Sequence, residues 1–333
     1  MRAGVIHGPG DLRVEEVEAS EPGPGEILIR TLAASICNAT DVHIWEGSVG
    51  EELRPPYPHV LGHERAGEVV AVGAGVKDFA VGDRVSCWAK MDGAFGEYDV
   101  LRPWQYPTVK LGDDVSSDAG SLLEFVGATL RCIHAAGLRP GERVVVLGQG
   151  VQGLVLAREA RLLGAARVVG VDLLPNRLER SRAWGADVAY DLSGKSYTHA
   201  LGDLRDAVGG EADLVIDASG KGIWEGGNSI NLGLELLRWA GRYVVYGLPT
   251  RDLEVNARLI GMKGITFKGI DTPPHEVASL LSLGERWVAA GRLPIHELVT
   301  HRVPLERVAE GLALCRDRPG EVLKVMVDVE VQG

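Results

Sequence analysis

The sequence predicts a mixed α/β protein in which a β-rich part and a doubly wound parallel sheet share one chain. Three observations carry this expectation. Short apolar runs cut by Gly and Pro fill residues 1 to about 115, and from Leu138 onward apolar strands alternate with helical stretches. A glycine-spaced turn also joins the first of those later strands to the helix after it.

The chain has 333 residues, which at roughly 150 per domain suggests two domains and a full hydrophobic core. Apolar residues are 45% and charged residues 24%, an ordinary globular balance that excludes disordered and collagen-like chains. Lys and Arg total 35 against 46 Asp and Glu, a net charge of −11 without a basic run, so nucleic acid is not an expected partner. Cysteines at 37, 87, 132 and 315 are too few and too scattered for a disulfide framework, and a reducing cytoplasm is the expected setting. Met1 to Val17 lacks the apolar run of a signal peptide, and no stretch has the length of a membrane span.

In the first part, β-runs fall at Ile27 to Thr31, Ala66 to Val72 and Asp83 to Ser86, and the first helical pattern begins near Ser117. The pattern changes near residue 128. Six strand candidates follow: Arg143 to Leu147, Arg167 to Val171, Asp187 to Tyr190, Asp213 to Asp217, Arg242 to Tyr246 and Ile265 to Lys268. Six is the number a doubly wound dinucleotide fold requires. After Thr272, two helical patterns and the run Val322 to Val329 cannot form a core of their own, so they are assigned back to the first domain. The expected division is 1–127 with 268–333, and 128–267.

The strand ending at Leu147 runs into Gly148, Gly150 and Gly153 in Gly-x-Gly-x-x-Gly spacing. The helix that follows opens at Val151, repeats apolar residues on one face through Leu163, and has Gly164 to end it in a left-handed conformation. Gly148 allows the tight turn, Gly150 the approach of a pyrophosphate, and Gly153 the packing of helix on strand, while free amides at the helix start face the phosphate. Asp172 ends the second strand 19 residues after Gly153, where its carboxylate suits ribose hydroxyls and repels the extra phosphate of NADP. The expected cofactor of this Rossmann unit is NAD. Arg177 stands within reach of the adenosine ribose or a phosphate, and Ser219, Gly220, Gly247 and Leu248 follow strands whose carboxyl ends face the nicotinamide crevice.

Gly62, His63, Glu64, Gly67, Gly73 and Val76 form the order Gly-His-Glu-x-x-Gly-x5-Gly-x-x-Val, with Cys37 lying 26 residues before His63. Together with Gly82 to Val85, Gly93 to Tyr98 and the Gly148 to Asp172 unit, this resembles the zinc-containing medium-chain dehydrogenase/reductase family, which includes alcohol, sorbitol and threonine dehydrogenases. The resemblance spans nearly the whole chain. It implies a GroES-like catalytic domain and one catalytic zinc held by Cys37 and His63 with Glu64 beside it. It adds a carboxylate at Glu124, the place it occupies in the sorbitol-like branch. N, S and O donors with an open fourth position suit catalytic zinc, which would act as a Lewis acid on the alcohol oxygen.

Thr40 and His43 match the family's proton relay, and Lys324 matches a basic residue that contacts the cofactor pyrophosphate. Relatives place the cysteine three residues before the aspartate. Here Cys37 to Asp41 is four, so a residue near Asn38 or Ala39 must bulge if Cys37 and Thr40 face one ion. Many relatives carry a four-cysteine lobe for a structural zinc. Between Cys87 and Tyr98 there is only Cys87 itself, so that second zinc is expected to be absent. Cys87, Cys132 and Cys315 are read as packing residues, and Trp45, Trp88, Met91 and Phe95 as walls of the substrate entrance.

Singly, these residues have bland readings: Cys37 as a small core hydrophobe, His63 as a satisfied core histidine, Glu124 paired with Arg131, and His43 or Lys324 solvated. Jointly they point to NAD-dependent oxidation of a secondary alcohol, a polyol, sugar or amino-polyol, in a cleft between the domains of a homodimer or homotetramer. The alternatives are a zinc-free NAD(P)H-dependent quinone or enoyl reductase, which zinc content would distinguish, and a non-catalytic nucleotide-binding relative.

Overall fold

The computed structural model describes residues 1–50, 54–220, 222–247, 252–271 and 273–329. The chain divides into two compact units, Met1–Ala128 with Pro273–Gly333, and Thr129–Thr272.

In the first unit a seven-stranded sheet runs in the order Val299–Pro304, Lys324–Asp328, Ile27–Ser35, Glu64–Val72, Arg84–Cys87 and Thr108–Lys110, with Tyr98–Leu101 also pairing with Ile27–Ser35. A smaller sheet joins Asp11–Glu16, Arg2–Gly8 and His59–Val60. Alternation along Ile27–Ser35 buries Ile27, Ile29, Thr31 and Ala33 on one side until the last residues, Ala34 and Ser35, are buried on both. That double burial marks where the site lies. The register there sets Ser35 beside Glu64 on one neighbour and Met326 on the other, bringing segments almost 300 residues apart into one row. The C-terminal segments return to this unit because Val303, Leu312, Val325 and Val327 share a core with Ile6, Ile36 and Phe95.

In the second unit six parallel strands run in the order Val188–Asp191, Arg167–Asp172, Arg143–Leu147, Ala212–Asp217, Leu237–Val245 and Thr266–Lys268. Numbered along the chain this is 3-2-1-4-5-6, the doubly wound order whose reversal lies beside the first strand. Val144, Val145 and Val146 are buried on both faces, as a central parallel strand requires. The fifth strand begins at Leu237, five residues ahead of its expected start. The stretch between carries a register irregularity and Ala240 at φ +53°, features with no apolar signature. A short hairpin, Ile223–Trp224 with Gly227–Asn228, is also absent from the sequence reading.

Inside this unit, Glu159 on the helix Val151–Leu162 is fully buried and accepts a hydrogen bond from the Thr129 hydroxyl at 2.9 Å. Its Oε2 has no protein partner among the described residues, and burial pushes the carboxyl well above its ordinary value of 4.5. The folded protein therefore keeps a proton that the unfolded chain has released, and stability must fall as pH rises through that interval. Glu159→Gln removes the titration. Its stability relative to the parent should climb by up to about 1 kcal/mol per pH unit as the pH rises above about 5, as read by urea unfolding at each pH. A pH-independent difference would contradict the buried neutral acid.

Candidate active site

Cys37, His63 and Glu64 are buried, and one donor atom from each (sulfur, imidazole nitrogen and carboxylate oxygen) lies within 4.8 Å of the other two. Cys37 follows the doubly buried end of Ile27–Ser35, and Glu64 opens the neighbouring strand Glu64–Val72. Gly62 adopts φ +92°, and a Cβ there would lie 2.7 Å from the Phe95 ring, so only glycine lets the chain turn into His63 at this place. Phe95 is accordingly a core residue, not a wall of an entrance.

Asp41 organises the two ligand candidates. It lies buried in the first turn of the helix Thr40–Glu46; its Oδ2 accepts the Cys37 N–H at 2.9 Å and its Oδ1 lies 2.9 Å from His63 Nδ1. With Nδ1 engaged, His63 offers Nε2 to a cation, the arrangement by which a carboxylate fixes a metal-binding imidazole. Burial alone would lower the His63 pKa, but the charge and hydrogen bond of Asp41, helped by Cys37, raise it well above 6.5. The extra residue before Asp41 is taken up in a turn at Asn38 and Ala39, where Asn38 Nδ2 donates to the Leu323 carbonyl at 2.9 Å. Cys37 therefore faces the cluster despite the longer spacing. Thr40 opens the helix, half-buried; His43 follows within its first turn, with Nδ1 2.9 Å from Ser48 Oγ.

Two expected roles change. Lys324 is 1% exposed, with its ammonium 2.5 Å from the Glu64 carboxylate and 2.8 Å from the Ile36 carbonyl, so it is not solvated and is engaged within its own unit. Burial would lower its pKa, but Glu64 outweighs that and raises it. Glu64 also accepts a short hydrogen bond from the Ser35 hydroxyl. Glu124, 8% exposed in the first turn of the helix Leu123–Ala136, stands outside the three-residue group. Burial pushes its carboxyl up to about 7, with Glu64 adding to the rise while His63 and Lys324 oppose it. It therefore sits in the field of the cluster without being one of its three donors. Sequence reasoning missed Ser35, which carries no local signal, and used Asp41 only as a spacing mark.

The donor set fits a zinc ion: S, N and O atoms are gathered in a buried place, and a lysine balances part of the negative charge. The other cysteines are buried and free. Burial raises the thiol pKa of Cys87 and Cys132 and pushes Cys315 up to about 12, as inert packing residues require.

In the second unit Gly148 has φ +88°, Gly150 precedes the helix Val151–Leu162, and a Cβ on Gly153 would sit 1.9 Å from the Gly148 carbonyl oxygen. Gly150 has no side chain to cap the helix, so the first amides stay available to an anion. Asp172, 8% exposed, accepts the Gln149 N–H at 2.6 Å on Oδ2 and the Leu173 and Leu174 N–H groups at 2.7 and 3.0 Å on Oδ1. Those bonds fill Oδ1 and leave one acceptor position on Oδ2, which also lies 3.6 Å from Arg177. Ser219 donates its hydroxyl and N–H to Asp217 at 2.6 and 3.0 Å. A Cβ on Gly148 would meet Ser219 at 2.8 Å, and one on Gly247 would meet Gly220 at 2.7 Å, so these backbones converge on one crevice. Leu248 lies outside the described residues.

A two-unit chain of this kind, with a sulfur–nitrogen–oxygen donor group in one unit and a dinucleotide loop in the other, is the architecture of a metal-assisted dehydrogenase. Residues 23–126 match the family model of the alcohol dehydrogenase GroES-like domain, and residues 150–286 that of the zinc-binding dehydrogenases. The chain is 31% identical to sorbitol dehydrogenase of Ovis aries over 97% of its own length and 95% of that protein's. An alcohol dehydrogenase from Thermus sp. ATN1 superposes with a TM-score of 0.83 at 27% identity, covering 98% of this chain and 99% of that one. A 2R,3R-butanediol dehydrogenase from Bacillus subtilis shares the fold with a TM-score of 0.84 at 24% identity, covering 98% and 99%. The chain belongs to the zinc-containing medium-chain dehydrogenase/reductase family and is an oxidoreductase acting on alcohol groups.

Proposed function

We propose that the protein oxidises a secondary hydroxyl of a polyol, with NAD as hydride acceptor and one zinc ion held by Cys37, His63 and Glu64. The convergence of those three donors in one buried group carries the reading. A zinc ion there supplies Lewis acidity that makes the substrate hydroxyl easier to deprotonate near neutral pH. Asp41 holds Cys37 and His63 in place, while Ser35 and Lys324 hold Glu64. The Thr40 hydroxyl accepts the substrate proton, and His43, steadied on Ser48, takes it toward solvent. Glu124, buried in the field of the cluster, hydrogen-bonds a second hydroxyl, which is why a polyol suits the site better than a monoalcohol.

The amides at the start of Val151–Leu162 receive the pyrophosphate, and Oδ2 of Asp172 accepts one ribose hydroxyl. Among the described residues no helix is long and apolar enough to cross a membrane, and assembly as a homodimer or homotetramer in the cytoplasm accompanies this reading. Metal analysis with a panel of polyols and NAD tests it. About one zinc per chain and NADH formation with at least one polyol are expected, whereas zinc-free protein reducing a quinone would overturn it. Within the same assay, Asp172→Ala should weaken NAD binding and ease the use of NADP by on the order of 1–3 kcal/mol in relative kcat/KM. An unchanged preference would remove Asp172 from the ribose.

A further inference from the structure

Gln149 stands between the first two glycines of the nucleotide loop, yet it is fully buried. Its amide nitrogen donates to the carbonyls of Val146 and Gly148, both at 3.0 Å, and its amide oxygen accepts the Ser181 hydroxyl at 2.8 Å. Two carbonyl acceptors on one side and a hydroxyl on the other fix which way the amide is turned, and both of its N–H bonds and its oxygen are engaged. Ser181 is itself buried, on the helix Pro175–Ala183. Glycine at 170, inside the strand Arg167–Asp172, makes room for the pair: a Cβ there would stand 2.8 Å from the Gln149 amide and closer still to the Ser181 hydroxyl.

The Gly148 carbonyl and the Gln149 N–H belong to one planar, trans peptide unit, so they point in opposite directions and turn together. One edge of this unit is held by the Gln149 amide, and the other meets Asp172 Oδ2 at 2.6 Å. We propose that Gln149 is a positioning residue for cofactor selection: its buried amide locks the Gly148–Gln149 peptide, so that the Gln149 N–H fixes Asp172 Oδ2 and aims the remaining acceptor position at one ribose hydroxyl. The Gln149 side chain touches no cofactor in this account, and the selection it serves rests on the proposed role of Asp172 toward the ribose. Without the lock the peptide can rotate, Oδ2 loses the Gln149 donor, and the carboxylate offers the ribose a different edge. NAD, which uses that hydrogen bond, then suffers more than NADP.

Gln149→Met keeps the length of the side chain and removes both donors, and made together with Ser181→Ala it orphans no hydroxyl. Relative to Ser181→Ala alone, this double variant should bind NADH about tenfold more weakly, as read by fluorescence titration, and in turnover the loss should fall on KM for NAD more than on kcat. The ratio of the dissociation constants for NADPH and NADH should also fall about tenfold. The amide of residue 149 should exchange with deuterium about tenfold faster. In an Asp172→Ala background the same change should move the NADPH-to-NADH ratio less than about threefold, because a residue that acts through Asp172 then has nothing left to position.

An unchanged ratio and unchanged exchange in Gln149→Met would overturn the proposal. So would a fall in the ratio that is as large with Asp172→Ala as without it, since Gln149 would then be only part of the core. Should Gln149→Met not fold, Gln149→Leu on the same Ser181→Ala background serves, because it also lacks the two donors and should show the same changes. The titrations and the exchange need no alcohol substrate. An Asp172→Ala protein with the parent's ratio would refute the ribose reading and cofactor selection with it. A shift with Asp172→Ala that Gln149→Met fails to reproduce would leave the ribose reading standing and remove Gln149 alone.

Discussion

Alanine in place of His63 should yield protein without bound zinc and with kcat/KM lowered on the order of a thousandfold, because one of three donors and the imidazole that Asp41 orients are lost together. Cys37→Ala should do the same. NADH binding should persist in both, since the Gly148 loop and Asp172 belong to the other compact unit. Asp41→Asn is the graded case: it keeps the shape but weakens the hold on both ligands, and about 10- to 100-fold in metal affinity should go. Metal analysis, chelator competition and fluorescence quenching by NADH check all three variants. A His63→Ala protein that retains an equivalent of zinc and normal turnover would leave the metal centre without foundation.

Lys324→Met should have the largest effect on stability. The ammonium and the Glu64 carboxylate are both essentially out of solvent at 2.5 Å, and removing one partner leaves a buried charge whose neutralisation or hydration is costly. In zinc-free protein the variant should lose about 3–5 kcal/mol relative to zinc-free parent, with Ser35 as the remaining hydrogen-bond donor to Glu64. Zinc should close much of that gap, since a divalent ion held by Cys37, His63 and Glu64 compensates the same carboxylate. Unfolding in urea with and without zinc measures both quantities. Equal losses in the two conditions would mean that the lysine and the metal do not share Glu64.

The pair also illustrates where reading the chain succeeds and where it stops. Gly148, Gly150, Gly153 and Asp172 were legible because each answers a local demand of turn, approach or strand end, and the demands recur at fixed spacing. The Cys37, His63 and Glu64 donors were legible through a motif of chemically unusual residues. Lys324 was misassigned because a lysine near a strand start has the same local appearance whether it faces solvent or a carboxylate 260 residues away. Glu124 was found but placed among the metal donors, since helix position alone does not say how far its carboxylate stands from His63.

The sequence by itself determined the two-part α/β architecture, the number and places of the parallel strands, and the nucleotide loop. These follow from periodicity and from residue chemistry at short range, which survive without knowledge of the rest of the chain. Only the tertiary structure decided which buried charges meet. Sheet register set Ser35 between Glu64 and Met326 and turned Lys324 onto Glu64, while the turn at Asn38 and Ala39 let Asp41, on the helix that follows, meet Cys37 and His63 at once. Register arises from packing summed over whole strands, and no single segment contains it.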